Sequence, residues 1–540
     1  MRNGGSDIYR LYVDRSLFVY GYINSKTNRF STYVIDCYTS QLQEMLEHLE
    51  NLDSQVCFDG LSLEYQIIDD IITSREIYLG TMPSMQLEMI NRKASAILSK
   101  DVPIITEKDF YIPQIDLSKL LGLNTAIRTT KMSDVAKMFN HDYPENGDNI
   151  CLNIGKQFKL PFSKDEILKY IEASVDSIKS LCLQSSENVK SRREISSDFK
   201  TRLTLNMSDI KAGEVLACRL YCKKVGIDLK SFPKPVLRLN DQSFDFVTKK
   251  IMFSNSVFYD YEKYIEGIKL NKDTQISYRT YIDGIAVAFG NGGIHGCCNP
   301  GIYDSDEKET IVIQDITSFY ASIICHFKLY PSHLTEQFID VVQSILDKRF
   351  EAIDLKDEPK SRMLKNMLVG IFGKFKEQQS NLFDITLQTK VVVAAQMIMC
   401  WWIDRLMNAD GITILGVNTD GLILRVNNNN LKYISYATNL VEDILKTRVK
   451  TDYINKLYIK DINNYMYISK DKKIVKVGCF DNSFSIYKTR KSILVADVIS
   501  KYLLNNLKNT EAHRKIYGSD VVKAAFKIIY SITEQQQSLF

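Results

Sequence analysis

The first 80 residues alternate apolar and polar positions in short runs, which is the pattern of strands with one buried face. Such runs at residues 17–23 and 32–35 flank the polar segment 24–28 and predict two strands joined by a turn. Residues 42–52 repeat apolar positions at helical spacing, and residues 55–58 predict another short strand. This mixture of strands and helices indicates an α/β unit at the start of the chain.

Longer helices and a second group of strands follow. The pattern predicts a long helix over 165–193, a helical pair over 346–375 around the turn at 357–359, an apolar helix over 386–406, a strand at 311–313, and a strand, tight turn and strand over 412–426. A basic run at 190–193 is a candidate domain boundary, although a solvated helix end explains it equally well.

Composition narrows the class of protein. A chain of 540 residues with 45% hydrophobic and 25% charged residues is typical of a globular protein of three or four domains. The longest apolar stretch, residues 391–403, is too short to span a membrane, and the first residues lack the apolar region of a signal peptide. The 11 cysteines show no metal-ligand spacing, so a reducing cytoplasm is the simpler expectation.

The most informative signal is a pair of acidic residues 105 positions apart. Asp315 follows an apolar strand and precedes a turn into a helix, whereas Asp420 occupies the tip of a predicted hairpin in the sequence Asn-Thr-Asp-Gly. If the two strands are neighbours in one sheet, the carboxylates meet and can bind Mg²⁺. Considered alone, Asp420 is more simply a turn residue.

A third segment lies between these aspartates. Lys365 and Phe372 are seven positions apart on a predicted helix, which places them on one face. A cation and an aromatic ring on one face suit a nucleoside triphosphate, with Lys365 against the phosphates and Phe372 beneath the base. An amphipathic helix with a solvated lysine is the alternative.

The order of these segments resembles motifs A, B and C of family B DNA polymerases, in the compact phage-type branch. Motif A is Asp-x-x-Ser-Phe-Tyr-x-Ser from Asp315, motif B runs from Lys365 to Gly373, and motif C is Asn418-Thr-Asp-Gly. The glycine-rich segment 292–296 precedes motif A, and Tyr330-Pro331 follows it. The resemblance covers residues 200–500 well and residues 1–190 weakly.

The resemblance implies roles for individual residues. Asp315 and Asp420 would be catalytic ligands of two Mg²⁺ ions, with Mn²⁺ as an alternative, and the carbonyl of Ile316 would add an oxygen. The dNTP would be bound by Arg349, Lys365, Tyr320 and Phe372, with Tyr320 excluding a 2′-hydroxyl. The primer–template would be bound by Lys460, Asn464, Tyr465 and Lys476.

The fold class implied is a multidomain α+β and α/β protein, a right-hand polymerase preceded by an RNase H-like exonuclease-type domain. Its expected parts are the exonuclease-like domain (1–190), a linker and first part of the palm (191–340), fingers (341–400), a second part of the palm (401–480) and a short thumb (481–540). Expected partners are primer–template DNA, dNTPs and a processivity or replisome factor, but no membrane. The expected location is the cytoplasm, that of the host bacterium if a phage encodes the protein, and the expected role is replication of phage or plasmid DNA.

The chain departs from the family pattern at several positions. Val369 and Gly370 replace the Asn and Ser of motif B, and Ala321 replaces the usual Pro of motif A. These changes leave both aspartates in place and bear on dNTP affinity and fidelity.

The family's 3′–5′ exonuclease needs about four carboxylates, and here most are missing. The best match to its first motif is Asp7-Ile8-Tyr9, with Tyr in place of Glu; the segment beginning at Asp14 also lacks the second acid. Glu64 stands in the second motif, and Ser174 replaces the Asp of the third. We expect an inactive exonuclease scaffold; a divergent live site with another alignment is the alternative.

A basic stretch follows motif C. Residues 446–491 contain 12 Lys or Arg against 4 Asp, a net charge of 12 − 4 = +8. Interleaved tyrosines suit a track for a nucleic-acid backbone, whereas a solvated charged face is the ordinary explanation. A template-directed DNA polymerase is therefore the leading hypothesis. The alternatives are a catalytically inactive, polymerase-like nucleic-acid-binding protein and an RNA-copying palm enzyme.

Overall fold

The computed structural model describes residues 5–124, 130–154, 162–236, 243–483, 488, 490–505 and 516–533. The chain divides into two compact units. Unit 1 comprises residues 1–212 and 358–363, and unit 2 comprises residues 213–357 and 364–540.

Unit 1 is built on a five-stranded sheet with the order β3-β2-β1-β4-β5, in which β1 is antiparallel to β2 and parallel to β4. Its strands are β1 (Ser6–Val13), β2 (Leu17–Asn24), β3 (Phe30–Asp36), β4 (Ser54–Cys57) and β5 (Gln114–Asp116). Its helices are α1 (Leu42–Glu50), α2 (Glu64–Thr73), α3 (Arg75–Leu79), α4 (Pro83–Leu98), α5 (Leu117–Leu120), α6 (Met132–Met138), α7 (Gly147–Asn153), α8 (Lys164–Gln184) and α9 (Ser186–Asp198).

Helix α8 covers one face of this sheet. The apolar residues along one side of this helix, including Ile167, Tyr170 and Ile171, are all buried. A Cβ atom at Gly21 of β2 would lie 2.1 Å from Cγ2 of Ile171, so glycine at this position permits the close approach of helix and strand. The helical and alternating patterns of the sequence thus produce a layered α/β unit.

The long helix predicted over 165–193 is interrupted at Ser185, and the candidate boundary at 190–193 falls within α9. Arg192 of α9 is fully buried. Its guanidinium donates hydrogen bonds to the carbonyl oxygens of Thr204 and Met207 and pairs with Asp209 at 2.6 Å. Because this arginine ties the following segment to α9, unit 1 continues to Ala212.

Unit 2 contains a ten-stranded sheet within the described ranges. Its strands are β6 (Ser277–Ile282), β7 (Ile285–Gly290), β8 (Gly293–Cys297), β9 (Gly301–Asp304), β10 (Glu309–Ile316), β11 (Ile412–Val417), β12 (Gly421–Asn427), β13 (Val449–Asp461), β14 (Asn464–Ser469) and β15 (Ile474–Val477). The order is β15-β14-β13-β10-β12-β11-β8-β7-β6, and β9 pairs with β13.

Helices pack around this sheet. They are α10 (Asp209–Val225, which begins in unit 1), α11 (Asp245–Thr248), α12 (Ser256–Glu266), α13 (Phe319–His326), α14 (Gln337–Asp354), α15 (Glu358–Lys374, whose first six residues are assigned to unit 1), α16 (Ile385–Met407), α17 (Leu431–Leu445), α18 (Arg490–Asn505) and α19 (Ser519–Thr533). The helical pair predicted around the turn at 357–359 is confirmed as α14 and α15, and the predicted apolar helix is α16.

Two helices close the described chain. Buried residues of α18 and α19, such as Val498, Ile499 and Ile529, share a core with Tyr458 and Met466 of the sheet. The predicted short thumb falls on this region, and its residues 484–487, 489, 506–515 and 534–540 lie outside the described part. In the described part of the chain, every helix is too short or too polar to cross a bilayer.

Candidate active site in unit 2

The two predicted aspartates lie next to each other at the end of neighbouring strands. Strand β10 pairs with β12 on one side and β13 on the other, so that Asp315 lies opposite Gly421 and opposite Lys450. The amide N–H of Ile316 donates to the carbonyl oxygen of Asp420 at 2.7 Å. The prediction that the two strands are neighbours, which brings the aspartates together, is confirmed.

Both aspartates line one cavity of about 400 Å³. The other lining residues come from the turn and helix after β10, from α14 and α15, and from β13: Ile316, Thr317, Ser318, Phe319, Tyr320, Ala321, Arg349, Lys365, Leu368, Val369 and Lys450. Five residues assigned to catalysis or dNTP binding are therefore brought together, namely Asp315, Asp420, Tyr320, Arg349 and Lys365.

The electrostatics of Asp315 and Asp420 favour a bound cation. Burial, and then the nearby carboxylate of Asp420, raise the pKa of Asp315 to about 6, against the lowering effect of Lys450. Burial also raises the pKa of Asp420, although Lys365 opposes the shift. Two carboxylates that are difficult to ionise together are stabilised when a divalent cation shares their charge.

The donor set fits a hard metal ion. Carboxylate oxygens are the ligands that Mg²⁺ prefers, and this ion normally keeps further positions for water or substrate phosphate. No cluster of three or more His, Cys, Asp or Glu with metal-binding geometry occurs among the described residues, so the aspartate pair would need oxygens from elsewhere. Ile316, whose carbonyl was predicted to supply one, lines the cavity.

Arg349 contributes a buried positive charge to the same cavity. The side chain is 7% exposed, and burial lowers the pKa of its guanidinium to about 10. Its Nη1 donates to the hydroxyl of Ser318, whereas its buried Nε has no hydrogen-bond partner among the described residues. A buried cation with an unused donor is suited to an anionic ligand, because an unpaired buried charge is costly.

Tyr320 provides the aromatic surface of the cavity. Its ring stacks on that of Phe372 with centroids 4.1 Å apart and an interplanar angle of 16°. Phe372 therefore supports Tyr320 from behind and is not among the residues that line the cavity, although Lys365 on the same helix is. The predicted placement of Phe372 directly beneath a base is not what the structure shows.

The turn that carries Asp420 rests on the glycine-rich segment. Thr419 Oγ1 lies 3.2 Å from Nε2 of His295. Gly293 adopts a φ of +124°, and a Cβ atom there would lie 2.5 Å from Thr419 Oγ1, so glycine is required by both conformation and space. His295 and Lys450 are site residues that sequence reasoning missed. Lys450 could have been found from its place in the basic stretch beyond motif C.

The four residues predicted to bind the primer–template lie in β13, β14 and β15. Lys460 pairs with Asp461 at 2.8 Å, and Lys476 donates to the side chain of Asn482. Asn464 bridges Asp461 and the N–H of Cys479, so it fixes the turn. Tyr465 stacks on Tyr467, and the pKa of its hydroxyl is raised by burial and then by the charges of Asp315 and Asp420.

In unit 1, the residues predicted as remnants of an exonuclease do not form one site. Glu64 accepts a hydrogen bond from the N–H of Leu11, whereas Asp7 lies four residues, or about 13 Å, earlier along β1. The structure therefore does not bring Asp7 and Glu64 together. The match relied on the spacing of Asp7-Ile8-Tyr9, which does not reveal which part of β1 faces α2.

The residue that meets Glu64 is a cation. Arg10 pairs with Glu64 at 2.6 Å and donates to the hydroxyl of Tyr170 and the carbonyl oxygen of Phe58. Ser174, the third predicted remnant, donates to the carbonyl of Tyr170 within α8. A buried guanidinium therefore occupies the space beside Glu64.

Comparisons with known proteins give little on which to base a function. No protein-family model matches the sequence, and no curated protein is similar to it at a significant level. Among solved structures, the chain is similar to the family B DNA polymerase from the hyperthermophilic archaeon Pyrobaculum calidifontis. The TM-score is 0.46 at 12% identity, over 94% of this chain and 66% of that chain. The chain thus spans just under two thirds of the length of that polymerase.

Proposed function

We propose that this protein is a template-directed DNA polymerase that adds dNTPs to a primer 3′ end. The observation that carries the proposal is the division of charge within one cavity. Asp315 and Asp420 lie together at the strand ends, while the buried Arg349 and the lysine Lys365 line the same space. Nucleotidyl transfer usually requires carboxylates that hold metal ions against the phosphates, and basic side chains that bind the same phosphates.

In the proposed reaction, the primer 3′-oxygen attacks the α-phosphorus of the dNTP, and the bond to the leaving pyrophosphate breaks. Asp315 and Asp420 would hold two Mg²⁺ ions, with the carbonyl of Ile316 as a further ligand. The bound ions would neutralise charge on the attacking and leaving oxygens. Arg349 and Lys365 would bind and orient the triphosphate, so that most of the catalysis comes from positioning and charge neutralisation.

Tyr320 would select the sugar. Its ring lines the cavity and also stacks on the ring of Phe372, which restricts the movement of the tyrosine side chain. A ribose 2′-hydroxyl would contact this ring, so deoxynucleotides would be preferred. Replacing Tyr320 by Ala should raise incorporation of NTPs relative to dNTPs.

A primer-extension assay tests the proposal. The wild-type protein should extend a labelled primer on a DNA template with dNTPs and Mg²⁺, whereas Asp420→Asn should lose the activity. Failure of the wild type with both dNTPs and NTPs, while it still binds primer–template DNA, would favour the catalytically inactive nucleic-acid-binding protein. A preference for NTPs would favour an RNA-copying enzyme.

We also propose that unit 1 does not degrade DNA 3′ ends. This is supported by the Arg10 guanidinium, which pairs with Glu64 where a metal ion would have to bind. The purified protein should leave a labelled 3′ end intact in the presence of Mg²⁺ or Mn²⁺. Degradation by the wild type that is lost in Glu64→Ala would contradict this proposal.

A further inference from the structure

A second charged cleft lies in unit 1, apart from the Arg10 cluster of the same unit. It has a volume of about 360 Å³ and is lined by Tyr22, Asn24, Lys26, Thr27, Arg29, Ser31 and His48. These residues come from β2, from the turn between β2 and β3, from β3 itself and from helix α1. The lining holds two permanent cations, an imidazole, an amide and three hydroxyls, with no carboxylate.

The cleft is on the opposite face of the sheet from the Arg10 cluster. Arg10 lies opposite Gly21 in the register of β1 and β2, and Gly21 contacts α8. Asp7 lies opposite Asn24, at a position three residues from Arg10, and side chains alternate between faces along a strand. The cleft therefore cannot be part of the site around Glu64.

A buried carboxylate organises the base of this cleft. Asp7 is completely buried and accepts hydrogen bonds from the hydroxyl of Tyr20 at 2.7 Å and from Nδ2 of Asn24 at 2.8 Å. It also pairs with Nε2 of His48 at 2.7 Å. A carboxylate in this position accepts a hydrogen bond from a proton on Nε2, which fixes the orientation of the imidazole ring.

Aromatic packing fixes the imidazole from a second direction. The ring of His48 lies 4.5 Å from that of Tyr22, and Tyr22 stacks on Tyr33 at 5.6 Å with an interplanar angle of 13°. A side chain held by a buried carboxylate and by two rings is preorganised, so a ligand would not have to order it. Such support is not needed for a histidine that serves only as a solvated surface residue.

We propose that this cleft binds a phosphate group. A phosphate monoester carries up to two negative charges and several acceptor oxygens, which match the guanidinium of Arg29, the ammonium of Lys26, the imidazole of His48 and the hydroxyls of Thr27 and Ser31. The volume exceeds that of phosphate alone, so the cleft accepts a phosphate attached to a larger group. The proposal does not depend on polymerase activity in unit 2.

The test measures hydrogen exchange by mass spectrometry in the full-length protein, with EDTA present to remove metal ions. The probes are inorganic phosphate, deoxythymidine 5′-monophosphate, and a thymidine tetranucleotide with and without a 5′-phosphate. Phosphate-bearing probes should protect peptides covering residues 22–31 and 42–50. Protection by all three phosphate-bearing probes identifies a general phosphate site, whereas protection by the phosphorylated tetranucleotide alone identifies a nucleic-acid end.

Two variants locate the binding. Arg29→Ala should weaken binding by about tenfold or more, since it removes a charge-assisted hydrogen bond to the phosphate. His48→Gln keeps a hydrogen-bond donor to Asp7 but removes the imidazole ring from the cleft, and should also weaken binding. Arg92→Ala, whose exposed guanidinium pairs with Glu88 on α4, should bind as the wild type does.

Several results would overturn the proposal. Equal protection by the tetranucleotide with and without its 5′-phosphate would show that the phosphate monoester is not recognised. Unchanged binding in both Arg29→Ala and His48→Gln, or protection confined to residues 315–321, would place the ligand elsewhere. Circular dichroism of each variant would show whether the fold is retained.

Discussion

At the scale of single residues, the candidate site depends on a contact between a carboxylate and a glycine. A Cβ atom at Gly421 would lie 2.4 Å from Oδ1 of Asp315 and 2.8 Å from the carbonyl oxygen of Gln314. The second atom belongs to the backbone of a central strand and cannot move easily. Glycine after Asp420 therefore allows the neighbouring strand to bring Asp315 alongside.

Replacing Gly421 by Ala should disable the site without changing its charge. The methyl group would displace the Asp315 carboxylate, and a misplacement of about 1 Å can cost a hundredfold in rate. The expected result in primer extension is a loss of about that size, with Mg²⁺ dependence shifted to higher concentration. Gly292→Ala is the matched control, since a Cβ atom there meets nothing within 4 Å. Equal loss in both variants would contradict the argument.

The pKa of Asp315 predicts that this residue lowers stability at neutral pH. Its folded-state pKa of about 6 lies above the ordinary value of 3.8, so the folded protein holds the proton more tightly than the unfolded chain does. The loss in the free energy of unfolding begins as the pH rises above 3.8 and is complete above about pH 6. A shift of this size corresponds to about 1–3 kcal/mol.

The variant Asp315→Asn should therefore stabilise the metal-free protein at pH 8 while abolishing primer extension. Below about pH 4 the difference in the free energy of unfolding should disappear, because both folded and unfolded Asp315 are then protonated. Denaturant titrations in EDTA at the two pH values measure this difference. A variant that is less stable than the wild type at pH 8 would show that the carboxylate instead holds the strands together.

At the scale of structural elements, unit 1 depends on a buried ion pair that joins three elements. Arg10 belongs to β1, Glu64 to α2 and Tyr170 to α8, and both charged side chains are about 5% exposed. Burial raises the pKa of Glu64 to about 7 even though Arg10 opposes the shift. The pair is thus costly to bury and still more costly to break.

Removal of Arg10 alone should destabilise unit 1 strongly. Arg10→Ala leaves the Glu64 carboxylate buried without its counter-ion, which typically costs about 3–5 kcal/mol. The double variant Arg10→Met with Glu64→Gln should recover most of this loss, because no buried charge remains. The free energies of unfolding in urea measure both effects. Equal stability of the single and double variants would mean that Arg10 acts through packing rather than charge.

Sequence patterns predicted most elements correctly because periodicity reports which face is buried. The two halves of the hairpin around Asp420 and the paired helices α14 and α15 follow directly from it. The meeting of Asp315 and Asp420 was also predictable, since each residue ends an apolar strand. The roles assigned to them, and to the dNTP-binding and primer–template residues, stay predictions.

Other features could not be predicted from one-dimensional patterns. The sequence around Arg10 does not indicate that this side chain is buried, because the carboxylate that neutralises its charge belongs to Glu64, 54 positions away. The same holds for Arg192, whose basic run suggested a solvated helix end. His295 supports the turn at Thr419 through a tertiary contact that depends on strand order in the sheet.

At the scale of the whole molecule, the basic stretch 446–491 is less positive than its composition suggests. Lys450, Lys456, Lys460 and Lys488 each form an ion pair with a nearby aspartate. Three of these aspartates are already counted in the net charge of +8, whereas Lys456 and Arg448 pair with Asp304 and Asp354 outside the stretch, which lowers the local charge to 8 − 2 = +6. Lys460 can exchange its aspartate for a nucleic-acid phosphate, and other cations of the stretch, such as Lys472 and Lys473, offer further phosphate contacts.

Lys460→Ala and Lys476→Ala should weaken binding of primer–template DNA by similar factors for unrelated sequences. Contacts to phosphates position a duplex without reading its bases, and each lost contact lowers the salt dependence of binding by about one unit. Fluorescence anisotropy over a range of salt concentrations measures both quantities. Lys100→Ala in unit 1 is a control of the same charge change. A loss that depends on sequence would contradict the predicted backbone track.

The position of β10 between β12 and β13 has a consequence for biosynthesis. When a ribosome has synthesised roughly the first 400 residues, strand β10 with Asp315 is already outside the exit tunnel. Its two hydrogen-bonding neighbours, β12 and β13, have not yet been synthesised. Pairing of strands that lie far apart in the sequence is slow, because the entropy of loop closure opposes it. The central strand of the nascent protein therefore lacks its hydrogen-bonding neighbours for many seconds. A fragment that stops before residue 449 should require a complementing peptide, or a chaperone, to remain in solution.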